Sequence, residues 1–196
     1  YTEFLKDKFC DVAVIKYPKE TGLFDRAEDR FKKDPSYRDY TDVIDEVWFF
    51  FDVEIKDIAK WDRRYRTINW LRKLRKDKEI RVRLLMTTGC IEYWFMLHRK
   101  FYMPSLQTVA EKEKVIAELK VEEPLYEKGN RGITSKIARD YPVAVTNARR
   151  TVEKLLAEGL PGLEDTDERN RWLQRKCLTF SNVYEAIEFL ESLEKL

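Results

Sequence analysis

A chain of 196 residues suits a single domain with a substantial core. Charged residues make up 38% of it but nearly cancel, to a formal net charge of +2, so no global basic field points to nucleic acid and any such site is local. Apolar residues at 43%, with five Trp, ten Tyr and eleven Phe, exclude wholesale disorder.

Taken in order, Tyr1–Phe9 reads as a short helix with Phe4, Leu5 and Phe9 on its apolar side. The chain begins without an initiator Met, and a segment upstream of Tyr1 is expected. Asp11–Tyr17 is β-branched enough for a strand, ended by Pro18. Thr21–Thr41 is polar and interrupted by Pro35, which predicts a short helix around Phe24–Lys32 and a surface loop. The next stretch, Asp45–Asp57, carries five consecutive apolar residues, Val47–Phe51, into an acidic cluster of Asp52, Glu54 and Asp57. So short a run of β-formers predicts a strand buried on both faces of a parallel sheet. Asp52 and Glu54 point the same way at its carboxyl end, where open α/β sheets build their sites. Paired acids there suit one divalent cation. A strand followed by a helix with acids in its first turn accounts for the same residues.

Lys56–Lys78 carries Ile58, Trp61, Tyr65, Ile68, Leu71 and Leu74 at three- and four-residue steps, the stripe of a long amphipathic helix. Its other faces concentrate basic residues (Arg63, Arg64, Arg66, Arg72, Lys73, Arg75 and Lys76), either as a solvated surface or as phosphate contacts beside the acids. Ile80–Thr88 alternates and then turns apolar, a second parallel strand that closes a right-handed βαβ unit. Gly89 or Thr88 caps a helix over Cys90–Phe101, apolar nearly all round and therefore buried.

Beyond Pro104, Leu106–Lys120 predicts a charged helix with Val109, Val115, Ile116 and Leu119 inward, followed by a loop over Val121–Gly132. Ile133–Tyr141 and Pro142–Glu158 predict two helices divided at Pro142. Leu163–Lys176 reads as an exposed loop with a turn around Trp172. Ser181 caps a last helix with Val183, Tyr184, Ile187, Leu190 and Leu193 on one side. The predicted organisation is an α/β core over residues 1–103 and a helical extension of the same domain over 104–196. Cys10, Cys90 and Cys177 lie far apart, which speaks against a disulfide framework or zinc cluster and for a reducing cytoplasm. No signal peptide is visible, and no apolar run approaches membrane-spanning length.

Asp42–Glu54, Thr88–Phe101 (with Cys90, Glu92, Trp94, Leu97 and His98), Tyr126–Gly129 and Ser181–Leu190 follow one another along the chain. In that order they resemble the D-E-V-W-x-V-F-D-x-D strand, the N-P-C-F-E-x-W-x-L-L-H-F helix, the Y-x-K-G loop and the closing S-T-x-V-x-x-L helix of the RloB-like proteins. These form a prokaryotic family with a Toprim-type core found in defence loci. The resemblance implies a Toprim-like α/β fold: a small parallel sheet flanked by helices, with an α-helical C-terminal part packed on it. It also implies an acidic site for Mg²⁺ (or Mn²⁺). Asp52 matches the first Asp of the family's D-x-D and Glu54 replaces the second. That departure lengthens the ligand arm by one methylene; it keeps a carboxylate for the ion and also fits a weakened or lost site. The family's E-G-x-x-T-E motif belongs before the first helix. Thr2-Glu3 matches its tail, or Glu3 is an acid at a helix N-terminus.

On that resemblance Asp52 and Glu54 are the metal ligands, and Glu92 and His98 join them as catalytic residues. Asp57 reads as an acid of the first helical turn. Glu92 and His98, six apart, do not share a helix face. Glu92 caps its own helix or reaches the metal through water. His98, the single His, is either a hydrogen-bonded buried residue or a phosphate contact or general acid. Lys128 is a phosphate contact or a flexible surface Lys, and with Arg63 and Arg64 it completes the nucleic-acid-binding candidates. Cys90 is packing.

The function so implied is a metal-dependent nuclease that cuts RNA, transfer RNA among the candidates, or DNA, as an effector of anti-phage defence. An ABC-type ATPase partner is implied by the family's operons, and a homo-oligomer is left open. A Toprim-like nucleic-acid-binding or sensor subunit without catalysis is the alternative, favoured by Glu54 and by the near-neutral charge. In the third reading, a plain α/β domain, the similarity reflects core packing only.

Overall fold

A computed structural model describes residues 1–17 and 23–195. Two strands, β1 (Glu46–Val53) and β2 (Arg81–Thr88), pair in parallel with Val47 opposite Val82 and Asp52 opposite Thr87. Helices α1 (Thr2–Lys8), α2 (Leu23–Lys33) and α3 (Pro35–Arg38) precede the sheet, and α4 (Trp61–Arg72) connects its strands. After β2 come α5 (Ile91–Leu97), α6 (Val109–Glu122), α7 (Arg131–Ala138), α8 (Tyr141–Lys154), α9 (Asp167–Lys176) and α10 (Tyr184–Leu193). The class is the expected mixed α/β, a small parallel sheet among helices, consistent with a Toprim-like core. Among the described residues no helix is long and apolar enough to cross a membrane.

Apolar residues hold these elements where they are. Phe24 of α2 stacks on Phe49 at 4.1 Å and meets Phe51 edge-on at 5.2 Å, while Trp48 on the other side of β1 meets Phe189 of α10 at 6.0 Å. Burial on both faces belongs to β2, whose residues from Val82 to Thr88 are all buried, and not to β1, where Trp48 and Phe50 keep partial exposure. The reason is at the outer edge of β2. The Asn182 side chain accepts from the Met86 amide at 2.6 Å and donates to the Leu84 carbonyl at 2.8 Å. The Thr88 amide donates to the Phe180 carbonyl at 3.0 Å. Helix α5 is buried from Glu92 to Leu97, as its all-round apolar sequence predicts, and packs against α6 and α8.

Several expectations are corrected. Asp11–Tyr17 is not a strand: the chain turns on the Phe9 carbonyl, which accepts from Val12 and Ala13, and Val14 is 89% exposed. Branched side chains favour a strand only where a pleated neighbour receives them. Pro18, proposed as its end, lies outside the described residues. The helix of Lys56–Lys78 is shorter. A 3₁₀ turn over Ile55–Lys60 precedes α4, and the chain leaves the helix after Arg72 because the Ile80 amide must return to the Arg72 carbonyl, at 3.0 Å, to enter β2. Val109 of α6 points outward, 70% exposed. Thr108 caps that helix in a capping box with Glu111.

The exposed loop of Leu163–Lys176 is instead the helix α9. Thr166 caps it by accepting from the Arg169 amide at 3.2 Å, acids stand in its first turn and Arg175 and Lys176 in its last. Its inward side is polar: Arg169, Asn170 and Gln174 are buried beside Leu173. Arg169 reaches both oxygens of Glu185 at 2.6 and 3.1 Å, and Gln174 donates to the Asp57 carbonyl at 3.1 Å. Ser181 does not cap α10. It bridges back to Thr87, hydroxyl to hydroxyl at 3.0 Å, and Val183 holds the N-cap position.

Candidate active site

The parallel register sets the carboxyl ends of β1 and β2 side by side. Val53 is fully buried, which turns Asp52 and Glu54 to the opposite side of the chain. Gly89, directly after β2, has φ of 77°, a left-handed backbone that glycine adopts without strain. Its amide donates to the Val53 carbonyl at 2.9 Å, and a β-carbon there would stand 3.1 Å from Leu106. The turn starts α5 at once, so Glu92 in its first turn lies near Asp52.

Crowding of acids marks this corner. Asp52 is reachable by solvent, yet protein surrounds most of it. Loss of hydration, then Glu92, then Glu54 push its carboxyl up to about 6. Its carboxylate has no ion pair among the described residues. Glu54 goes the other way: hydrogen bonds from Lys112 and Lys56, one to each oxygen, hold it below the usual carboxylate range. Glu92 is fully buried. Its Oε1 accepts from the Tyr126 hydroxyl at 3.0 Å and stands 3.5 Å from Lys128 Nζ, while its Oε2 is buried with no hydrogen-bond partner. Burial, reinforced by Glu92, pushes the neighbouring Cys90 thiol up to about 12, so Cys90 is an inert packed residue.

Asp52, Glu54, Glu92 and Lys128 are thus brought together from three separate motifs. His98 is held apart at the far end of α5, enclosed by Tyr1, Trp94 and Phe95. Its Nδ1 donates to the Trp94 carbonyl at 2.9 Å, which leaves Nε2 to accept from the Tyr1 hydroxyl at 3.2 Å. Burial pushes it down to about 4, so it is neutral at ordinary pH with both nitrogens engaged.

The basic face is largely used within the fold. Arg64 lies over the rings of Phe24 and Phe51, at 5.1 and 4.7 Å, with Asp57 3.8 Å away. Asp57 itself is buried and paired with Lys60. Arg63 pairs with Asp25 at 2.9 Å. Arg72 grips Asp167 through both nitrogens, at 2.7 and 2.9 Å, and Arg75 pairs with Asp77. Arg66, Lys73 and Lys76 make no ion pair with a described residue.

Two participants escaped the sequence reading. Tyr126 was visible in its loop motif but not as the partner of Glu92. Lys112 sits in a run of alternating charges on α6 that nothing local distinguishes from a solvated face. For a divalent cation the donor set is the test. Among the described residues no group of three or more His, Cys, Asp or Glu is placed to hold a metal ion, so there is no closed cage. Mg²⁺ keeps most of its water and asks for one or two carboxylates. Asp52, without an ion pair among the described residues, and the unpartnered oxygen of Glu92 are the carboxylate donors left uncommitted for such an ion.

Compared with known protein families, residues 9–190 match the one described as RloB-like protein. No curated protein matches the chain, and no solved structure does.

Proposed function

Since the chain belongs to the RloB-like family, we propose that it is a metal-dependent nuclease that hydrolyses phosphodiesters of RNA or DNA in prokaryotic antiviral defence. The observation that carries this reading is Glu92, a fully buried carboxylate with one oxygen unpartnered, beside an Asp52 whose proton is held up to about 6. Acids crowded at the ends of paired parallel strands, one of them with its carboxyl raised and without an ion pair among the described residues, are a kind of perturbation that concentrates at functional sites.

Asp52 and Glu92 are the residues that would hold Mg²⁺ or Mn²⁺, which supplies Lewis-acid polarisation of a phosphodiester and a hydroxide-like water. The chain's own groups do the rest. Tyr126 donates to Oε1 of Glu92 and fixes the carboxylate while leaving Oε2 uncommitted. Asp52 binds a cation in its ionised form, so cation and proton compete for it, and crowding without the ion favours the proton. Lys128 supplies an ammonium for phosphate charge. His98 has no part in this proposal, because its nitrogens are engaged inside the core.

The experiment is incubation with Mg²⁺ or Mn²⁺ and labelled transfer RNA, single-stranded DNA and duplex DNA, comparing wild type with Asp52→Ala and Glu92→Gln. Cleavage is expected to fall at least about a hundredfold in each, the upper range even for an indirect partner of a metal ligand. Cleavage that survives Asp52→Ala unchanged sinks the assignment. A binding or sensor subunit without catalysis is the second reading, and Glu54 favours it, since lysines hold both its oxygens. Its signature is retention of the same nucleic acids with no cleavage at any cation concentration. Co-purification with an ABC-type ATPase tests the proposed partner.

A further inference from the structure

Glu54 is the acid of this corner whose charge is already matched, and its two lysines are not equivalent. Lys56 follows it by two residues and is 74% exposed. Lys112 arrives from α6, 58 residues on, with its side chain only 19% exposed. Its Cε passes 3.6 Å from the place a β-carbon would take on Gly89, so the side chain runs in contact with the turn that follows β2. The same ammonium acts electrostatically on Asp52 and on Cys177. A partly buried pair of this kind gives up hydration that only the pairing offsets. A doubly charged ion competes for the same carboxylate with a stronger field.

We propose that Lys112 is a tethered counter-ion that stands in for the divalent cation at Glu54. Asp52 and Glu92 would hold the ion first, and Glu54, which is not placed with them to share an ion as it stands, would turn to join them only when the ammonium swings away. The displaced ammonium then becomes a donor for substrate phosphate, so one exchange turns an internal ion pair into a substrate contact. This rests on reading the acidic corner as a cation site.

Mn²⁺ titrations of the full chain without nucleic acid, by calorimetry and by the shift in melting temperature, separate the two ideas. Lys112→Met is expected to bind Mn²⁺ about tenfold tighter than wild type, and Lys112→Arg to keep wild-type affinity. Lys56→Met should gain no more than about threefold, and adding Glu54→Gln to Lys112→Met should cancel the gain. Lys112→Gln, polar and of similar reach, carries the same comparison should the Met variant fold poorly. Unchanged or weaker binding in both neutral variants, with binding still lost in Asp52→Asn, overturns the counter-ion and leaves the cation site standing. No binding in wild type or in either neutral variant overturns both.

Discussion

Burial acts on Asp52 and His98 with opposite consequences for the pH dependence of folding. The Asp52 carboxyl is raised from its ordinary 3.8 to about 6, so the folded chain holds the extra proton between those values. That contribution is present at low pH and lost as pH rises through about 6. His98 is lowered from 6.5 to about 4; its contribution is present above 6.5 and lost as pH falls through about 4. Asp52→Asn should therefore melt above wild type at pH 7.5, with the gap closing below pH 4 in a series of thermal melts. A gap independent of pH contradicts the assignment. Proton resonances of the His98 ring should show no protonation until pH approaches 4. Among the arginines, Arg64→Ala is expected to cost on the order of 2 kcal/mol in urea unfolding, because a largely buried guanidinium over two rings is lost. Arg63→Ala, at a surface pair, should stay within about 0.5 kcal/mol. Weakened nucleic-acid binding in an Arg64 variant would have to be judged against that instability.

At the level of elements, legibility follows the chemistry of the buried face. β1, β2 and α5 are readable because their inward residues are mostly apolar and closely spaced, Phe49 and Val53, Val82 and Leu84 to Met86, Tyr93 to Leu97. α9 is not, because what it turns inward is Arg169, Asn170 and Gln174, and an apolar-period reading sees only a polar loop. Asp11–Tyr17 failed in the opposite sense, with the composition of a strand and no ladder to join. The end of α4 was masked by Leu74 and the basic residues after it, which continue the period beyond the turn into β2. The acids of the candidate site are legible at Asp52, Glu54 and Glu92 because each falls at a strand end or first helical turn. Their division of labour is not, since it depends on Lys112 and Tyr126 from distant helices and loops. The closed outer edge of β2 offers a direct test. Asn182→Ala strips the side-chain partners from the Met86 amide and the Leu84 carbonyl, and at roughly 1–3 kcal/mol for each buried group left unpaired the urea midpoint should fall sharply. A midpoint unchanged from wild type would mean that water enters that edge freely.

For the whole molecule, the α/β part and the helical part share one corner. Asp52, Glu54 and Glu92 come from the first hundred residues, and Lys112, Tyr126 and Lys128 from the stretch that follows. α5, with Tyr93 and Trp94 fully buried, is wrapped by α6 and α8. A fragment of residues 1–103 would leave those rings in water, and its circular dichroism is expected to melt without a cooperative transition. The seam between the parts runs past Gly89, where the Leu106 backbone oxygen and Cβ both lie 3.1 Å from the site a methyl group would fill. Gly89→Ala thus works as a wedge. It pushes on the lead-in to α6, so that one hydrogen atom is the keystone where the stretch after β2 meets the stretch before α6.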